Sequence, residues 1–71
     1  MVVRDRETGI VMLRLRSRKA GEVTAYTREP APGWVVDYDD VNAVIEIEVL
    51  APEKHFPKAI LDILPPEFID D

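Results

Sequence analysis

The residues best suited to chemistry are five carboxylates in the second half of the chain. Three lie at a polar turn and two on the segment after it: Asp37, Asp39, Asp40, Glu46 and Glu48. Oxygen ligands on a turn suit a hard cation such as Ca²⁺ or Mg²⁺, but this segment lacks the glycine and the ligand spacing of an EF-hand loop. Aspartate also hydrogen-bonds its own backbone in turns. We favour turn chemistry, and we predict no metal ligand and no cofactor.

Paired carboxylates can also act as general acid and base. That chemistry needs a cleft with desolvated walls to separate the two pKa values, and a small sheet offers little cleft within one chain. The chain has no cysteine, and its single histidine, His55, precedes a predicted helix entry, where a surface or capping role is usual. We therefore expect no catalytic residue, and the sequence favours a protein that is not an enzyme.

A basic segment near the start of the chain offers a different chemistry. Its cations are Arg14, Arg16, Arg18 and Lys19, and such residues can line a nucleic-acid surface. The first two alternate with apolar residues, as Glu46 and Glu48 do on a later segment. Cross-strand ion pairs would neutralise these charges if the two strands are neighbours, within the chain or across a dimer. The net charge of −5 opposes unspecific binding to phosphates, so we favour the ion pairs.

The composition describes one small globular domain that spans residues 1–71. No apolar run approaches the roughly 20 residues needed to span a bilayer, and the first residues lack the apolar region of a signal peptide. We expect a cytoplasmic protein without membrane contact. A single core of this size supplies no more than roughly 3–5 kcal/mol, and without cysteines there is no disulfide. We therefore expect association, as a homodimer or in a permanent hetero-complex.

Hydrophobic periodicity predicts a sheet over about residues 9–50 and a helix over about 57–64. The predicted strands are Ile10–Arg16, Glu22–Arg28, Trp34–Tyr38 and Ala43–Leu50. Helical spacing then groups Phe56, Ile60, Ile63 and Leu64. Proline limits the helix at both ends, and residues 65–71 follow as an acidic tail. The predicted fold is α+β: a small four-stranded antiparallel β-meander with one C-terminal α-helix packed on one face.

The hairpin in residues 33–50 indicates which side chains share a face. Centring its loop on residues 40–41 predicts these opposite pairs: Trp34 with Ile47, Val36 with Ile45, and Tyr38 with Ala43. This register gathers the apolar set on one side, and Asn42 suits the left-handed backbone of such a turn. Apolar residues left on the outward side indicate a partner interface: Met12, Val35, Val44 and Leu50.

Several segments together resemble a known family. They are Ile10–Leu15 (IVMLRL), Gly21–Val23, Gly33–Asp39 (GWVVDYD) and Ile45–Ala51 (IEIEVLA), followed by a helix. Over roughly residues 4–56 the chain is similar to the short prokaryotic proteins of the domain of unknown function 2283 family. That family usually has glycines in the hairpin turn and before the Ile-Glu-Ile strand, where this chain has Val41-Asn42 and Val44. The resemblance implies a fold and a place beside small toxin-like proteins, but no chemistry.

We therefore expect a small protein-interaction module, either a homodimer or an acidic partner of a more basic, toxin-like protein. In the second version the acidic residues steer association and the outward apolar residues supply the buried contact. Two alternatives remain from other classes of protein. One is nucleic-acid binding through the basic first strand, and the other is a metal-dependent activity at the aspartate turn.

Overall fold

The computed structural model describes residues 1–67, and one β-sheet runs through them. Its five antiparallel strands are β1 (Val2–Asp5), β2 (Val11–Arg14), β3 (Tyr26–Ala31), β4 (Trp34–Tyr38) and β5 (Val44–Val49). A 3-10 turn at Pro52–Lys54 leads to the helix α1 (Lys58–Ile63). A two-residue strand, β6 (Pro66–Glu67), pairs in parallel with β1. The α+β class is confirmed, but the antiparallel strands number five rather than four.

The strands do not follow a simple meander. Their order across the sheet is β3-β4-β5-β2-β1-β6, so β2 lies between β1 and β5 and not beside β3. The reason is burial. The strands β2 and β5, which carry the most buried side chains, take the centre, where each is paired on both sides, and the exposed strand β3 takes an edge. Residues 15–25 form the long connection that this order requires.

Two strands differ from the sequence pattern. The strand β1 was not predicted, because Val2 and Val3 are consecutive and give no alternation over its four residues. The strand β3 lies later than predicted, at Tyr26–Ala31 instead of Glu22–Arg28. Pro30 lies inside it, which an edge strand tolerates because one of its sides has no ladder partner.

The register divides the sheet into two faces. Val11 lies opposite Val49, and Leu13 lies opposite Ile47, on the side where α1 packs; we call this side the helix-bearing face. Trp34 of β4 lies opposite Val49 and belongs to the same face. The other side, which we call the polar face, carries the alternate residues of the same strands: Met12, Arg14, Val35, Asp37, Glu46 and Glu48.

The predicted register of the β4–β5 hairpin is wrong by two residues. Trp34 lies opposite Val49, because the turn and a β-bulge beside Asp37 each take up one extra residue. The left-handed backbone predicted for Asn42 is confirmed by its φ of 64°. A three-residue loop that ends in a left-handed residue is a common way to close a hairpin.

Beyond the bulge, the shift of two residues changes partners but not faces. Side chains alternate with a period of two, so residues 34–37 and 46–49 keep their expected sides. Between the bulge and the turn the shift is one residue, and Val44, predicted on the side away from Tyr38, lies opposite it. Asp37, however, lies opposite Glu46, where the predicted register had placed Val44. Two carboxylates thus become direct neighbours on the polar face.

The core of the helix-bearing face lies where α1 meets β2 and β5. Its buried residues and the side chains packed on them are Val11, Val49, Leu61, Trp34, Phe56 and Leu64. The helix lies within the predicted limits, but its predicted apolar face was partly wrong. Leu61 is 5% exposed, whereas Ile63 is 74% exposed. Phe56 precedes the helix, so its position says nothing about which helical residues point inward.

The C-terminal part of the chain returns to the sheet. The Arg4 N–H donates to the Pro65 carbonyl oxygen at 3.0 Å, and Pro66–Glu67 then pair with β1. The remainder of the predicted acidic tail, residues 68–71, lies outside the described residues. Within residues 1–67, no helix has the length and apolar character needed to cross a membrane.

We expect Leu61→Ala to lower the free energy of unfolding by about 2–5 kcal/mol, because it leaves a cavity in a core with few members. The matched control is Ile63→Ala on the same helix, which should change it by less than about 0.5 kcal/mol. Urea unfolding followed by the fluorescence of the single tryptophan measures both variants. Equal losses would show that α1 packs through a different face.

Candidate functional site

An apolar row crosses the helix-bearing face beside the core. Val2 lies opposite Leu13, Leu13 opposite Ile47, and Ile47 opposite Val36, so the row spans four strands. Val36 is buried, Leu13 and Ile47 are half-buried, and Val2 is 40% exposed. We call Val2, Leu13 and Ile47 the open apolar row.

The helix is too small to cover this row as well as the core. Six helical residues are about 9 Å long, and a helix is about 10 Å across. The molecule measures 36 × 25 × 17 Å, and α1 packs on Val11 and Val49, which lie one row further along. In the row beside that contact Val36 is buried, Leu13 and Ile47 are half-buried, and Val2 alone is exposed.

On the polar face, carboxylates pair with arginines. Arg14 Nε donates to Glu46 Oε2 at 2.9 Å, across the pairing of β2 with β5, so the favoured ion pairing, which required these strands to be neighbours, is present at Arg14. Arg18 reaches Asp37 Oδ2 at 3.4 Å, and Thr27 Oγ1 donates to Asp37 Oδ1 at 2.8 Å. Two of the predicted acidic residues are therefore already neutralised within the chain.

A third carboxylate joins these two. Oxygens of Asp37, Glu46 and Glu48 lie within 4.8 Å of one another, and the three residues line a cleft of about 660 Å³ together with Arg14 and Arg18. No arginine of residues 1–67 lies within ion-pair distance of Glu48. Burial raises the pKa of Glu48, and the neighbouring charges of Glu46 and Asp37 raise it further. A hard cation at this cluster would compete with two arginines that hold its other carboxylates.

Asp39 organises the hairpin turn. Its Oδ1 accepts hydrogen bonds from the N–H groups of Val41 at 3.0 Å and Ala43 at 2.8 Å, as expected for turn chemistry. Its Oδ2 accepts from Arg16 at 3.0 Å. The bond from Ala43 and then the bond from Arg16 lower the pKa of Asp39. Asp40 is exposed, so the predicted turn aspartates do not converge on one site.

Arg16 ties the long connection to this turn. Besides Asp39, it donates to both carboxylate oxygens of Glu22, at 2.8 and 2.6 Å. Glu22 also accepts the Lys19 N–H at 2.9 Å. The hydrogen bond from Arg16 lowers the pKa of Glu22 to about 2. The sequence pattern missed Glu22 as a partner, because its alternation placed the residue in a strand, whereas Glu22 lies in the irregular connection of residues 15–25.

The structure separates the apolar residues that were predicted to face a partner. Met12 is 1% exposed, so its predicted outward exposure is wrong. Val35 and Val44 are half-buried, and Leu50 alone of the four is exposed. Alternation gives the face of a residue but not what covers it. Residues 15–18 line the cleft above Met12.

Comparison with known proteins identifies no relative of this chain. No family model matches the chain, and neither a curated protein nor a solved structure matches it significantly. The family resemblance noted in the sequence therefore stays a prediction. The helix-bearing face and the polar face are therefore the basis for inferring the function of the chain.

We expect Glu48→Gln to raise the melting temperature at pH 7. Because the folded-state pKa of Glu48 is raised, ionisation of this carboxyl destabilises the fold above that pKa. Below the ordinary glutamate pKa of 4.5 the group is protonated in both states and has no such effect. The gain should therefore disappear at pH 4. Calorimetry at both pH values measures it, with Glu53→Gln on the exposed 3-10 turn as control. A gain of equal size at pH 4 would contradict the charge argument.

We expect acid to weaken the fold through Glu22. Its pKa falls from 4.5 to about 2 on folding, so its stabilising effect is complete above pH 4.5 and is lost as the pH falls toward 2. Glu22→Gln should flatten the dependence of stability on pH in that window. Urea unfolding at half-unit steps of pH measures the slope. An unchanged slope would mean that the pair with Arg16 does not persist in solution.

Proposed function

We propose that this chain is a small protein-interaction module that contacts its partner through the open apolar row. One observation carries the proposal: Val2, Leu13 and Ile47 form an apolar row outside the core cluster that α1 joins, and these side chains stay half-buried or exposed. Burial of apolar surface is the main favourable term in most protein association.

The acidic residues support only a minor part in this contact. Asp37, Asp39 and Glu46 are each paired with an arginine of the same chain. A basic, toxin-like partner would first have to displace those arginines. Asp40 and Glu48 remain for steering such a partner. We therefore place the contact on the apolar row and not on the acidic residues.

The alternatives from other classes have less support. Arg14, Arg16 and Arg18 each pair with a carboxylate, so a phosphate backbone would meet cations that are already neutralised. A metal-dependent activity would need the carboxylates on the polar face, where Arg14 and Arg18 already bind two of the three.

Cross-linking in extracts of the source cells tests the proposal. The tagged full chain should cross-link to one protein species, which mass spectrometry then identifies as a second copy or a different chain. We expect Val2→Lys to reduce that product at least about tenfold, because it places a charge in an apolar contact. The matched control is Val41→Lys at the tip of the hairpin turn, a valine that is 75% exposed.

Comparison of Val2→Lys with Val41→Lys shows whether the contact lies on the open apolar row. Loss with Val2→Lys and retention with Val41→Lys supports the row as the contact surface. Equal products from both variants and the parent chain would place any contact elsewhere and overturn the proposal. Circular dichroism verifies that both variants keep their strand content.

A further inference from the structure

We infer that the long connection of residues 15–25 is a strap that ion pairs hold closed over the polar face and that opens when salt screens them. The strap runs from β2 to β3, and its first residues line the cleft in which the carboxylate cluster lies. Its opening exposes carboxylates that it covers when closed. The strap lies on the polar face and does not depend on the contact proposed for the open apolar row.

The strap has no apolar anchor. None of residues 15–25 is buried, and its two large apolar side chains point into solvent, since Leu15 is 60% exposed and Val23 is 79% exposed. A segment with few buried apolar contacts belongs to the part of a fold that opens most readily. Polar contacts must therefore keep the strap on the sheet.

Backbone hydrogen bonds fix the two ends of the strap. The Leu15 N–H donates to the Ile45 carbonyl oxygen, and the Ala25 N–H donates to the Tyr38 carbonyl oxygen, each at 2.9 Å. The backbone hydrogen bond that closes the turn of residues 19–22 stays within the strap and does not reach the sheet. The middle of the strap can therefore move while its ends stay attached.

Two arginines attach the middle of the strap to the sheet. Arg16 donates to Asp39 Oδ2 at 3.0 Å, and Arg18 donates to Asp37 Oδ2 at 3.4 Å. The two arginine side chains are each 34% exposed, whereas those of Asp39 and Asp37 are only 8% and 12% exposed. Because salt weakens ion pairs that solvent reaches, the cations of the strap are open to screening.

The two aspartates keep hydrogen-bond donors of the sheet when the strap opens. Asp39 retains the N–H groups of Val41 and Ala43, and Asp37 retains the hydroxyl of Thr27. A buried charge that loses every partner is costly, and opening leaves neither aspartate in that state. The arginines can therefore lift away without unfolding the hairpin.

Opening changes the charge that the polar face presents. With the strap closed, Arg16 and Arg18 offset the charges of Asp39 and Asp37. With the strap open, both aspartates lie uncompensated on the same face as Glu48. The strap is thus a switch between a neutralised and an acidic polar face.

Amide hydrogen exchange of the purified full chain at constant pH, followed by NMR, tests the strap. The reporters are the N–H groups of Lys19 and Glu22, whose hydrogen bonds close a short turn that does not persist once the strap leaves the sheet. The reference is the Leu50 N–H, which donates to Gly33 across the hairpin. From about 0.01 M to about 1 M NaCl the screening length falls from about 30 Å to about 3 Å. We expect the reporters to exchange at least about tenfold faster relative to the reference at the higher salt.

The variant Asp39→Asn separates the attachment to the sheet from effects of salt within the strap. It removes the charge that Arg16 meets but keeps the oxygen that accepts from Val41 and Ala43. Already at low salt it should speed exchange of the reporters at least about tenfold, and it should reduce the further effect of salt. The matched control Asp40→Asn removes an exposed carboxylate from the same turn and should leave both unchanged.

Either of two results would overturn the inference. One is exchange of the reporters that keeps pace with the Leu50 reference at every salt concentration in the parent chain. The other is equal acceleration, or none, in Asp39→Asn and Asp40→Asn. If Asp39→Asn also speeds exchange of the Leu50 reference, the salt dependence of the parent chain alone decides. Cross-linking through Val2 is a separate measurement, so failure of the strap leaves the proposed function standing.

Discussion

The pairing of β2 with β5 is the contact on which the rest of the molecule depends. It joins residues 11–14 to residues 46–49, and it is the place where the N-terminal and C-terminal hairpins meet. Closing so long a loop costs conformational entropy, which the burial of Val11, Met12 and Val49 offsets. The helix packs on one side of this pairing, and the Arg14–Glu46 ion pair forms on the other. Without it, neither face would exist.

Much of the two-faced arrangement follows from the sequence, because side-chain direction has a period of two. The faces assigned to Trp34, Asp37 and Glu46 were correct although their partners were not. A β-bulge and a left-handed turn residue add to the backbone without changing the hydrophobic pattern, so the pattern cannot reveal them. The bulge, which the pattern could not predict, has a chemical consequence. It brings Asp37 opposite Glu46 and so assembles the carboxylate cluster.

Other features could not be read from local patterns, because they depend on distant parts of the chain. The strand β1 has no alternation of its own and forms because β2 offers it an edge. The burial of Met12 depends on the residues that pack over β2 and not on the sequence of β2 itself. The sequence indicated a partner for Arg14 among Glu46 and Glu48, because the arginine and the glutamates each alternate with apolar residues along their strands. It did not indicate Glu22 as the partner of Arg16, because that pair lies in an irregular connection.

The edge strand β3 is built so that strands of other molecules do not add to it. Pro30 has no N–H, and the exposed charges of Arg28 and Glu29 precede it, which are the usual means by which proteins prevent strands of other molecules from adding to an edge. Growth of the sheet from molecule to molecule is therefore blocked at this end.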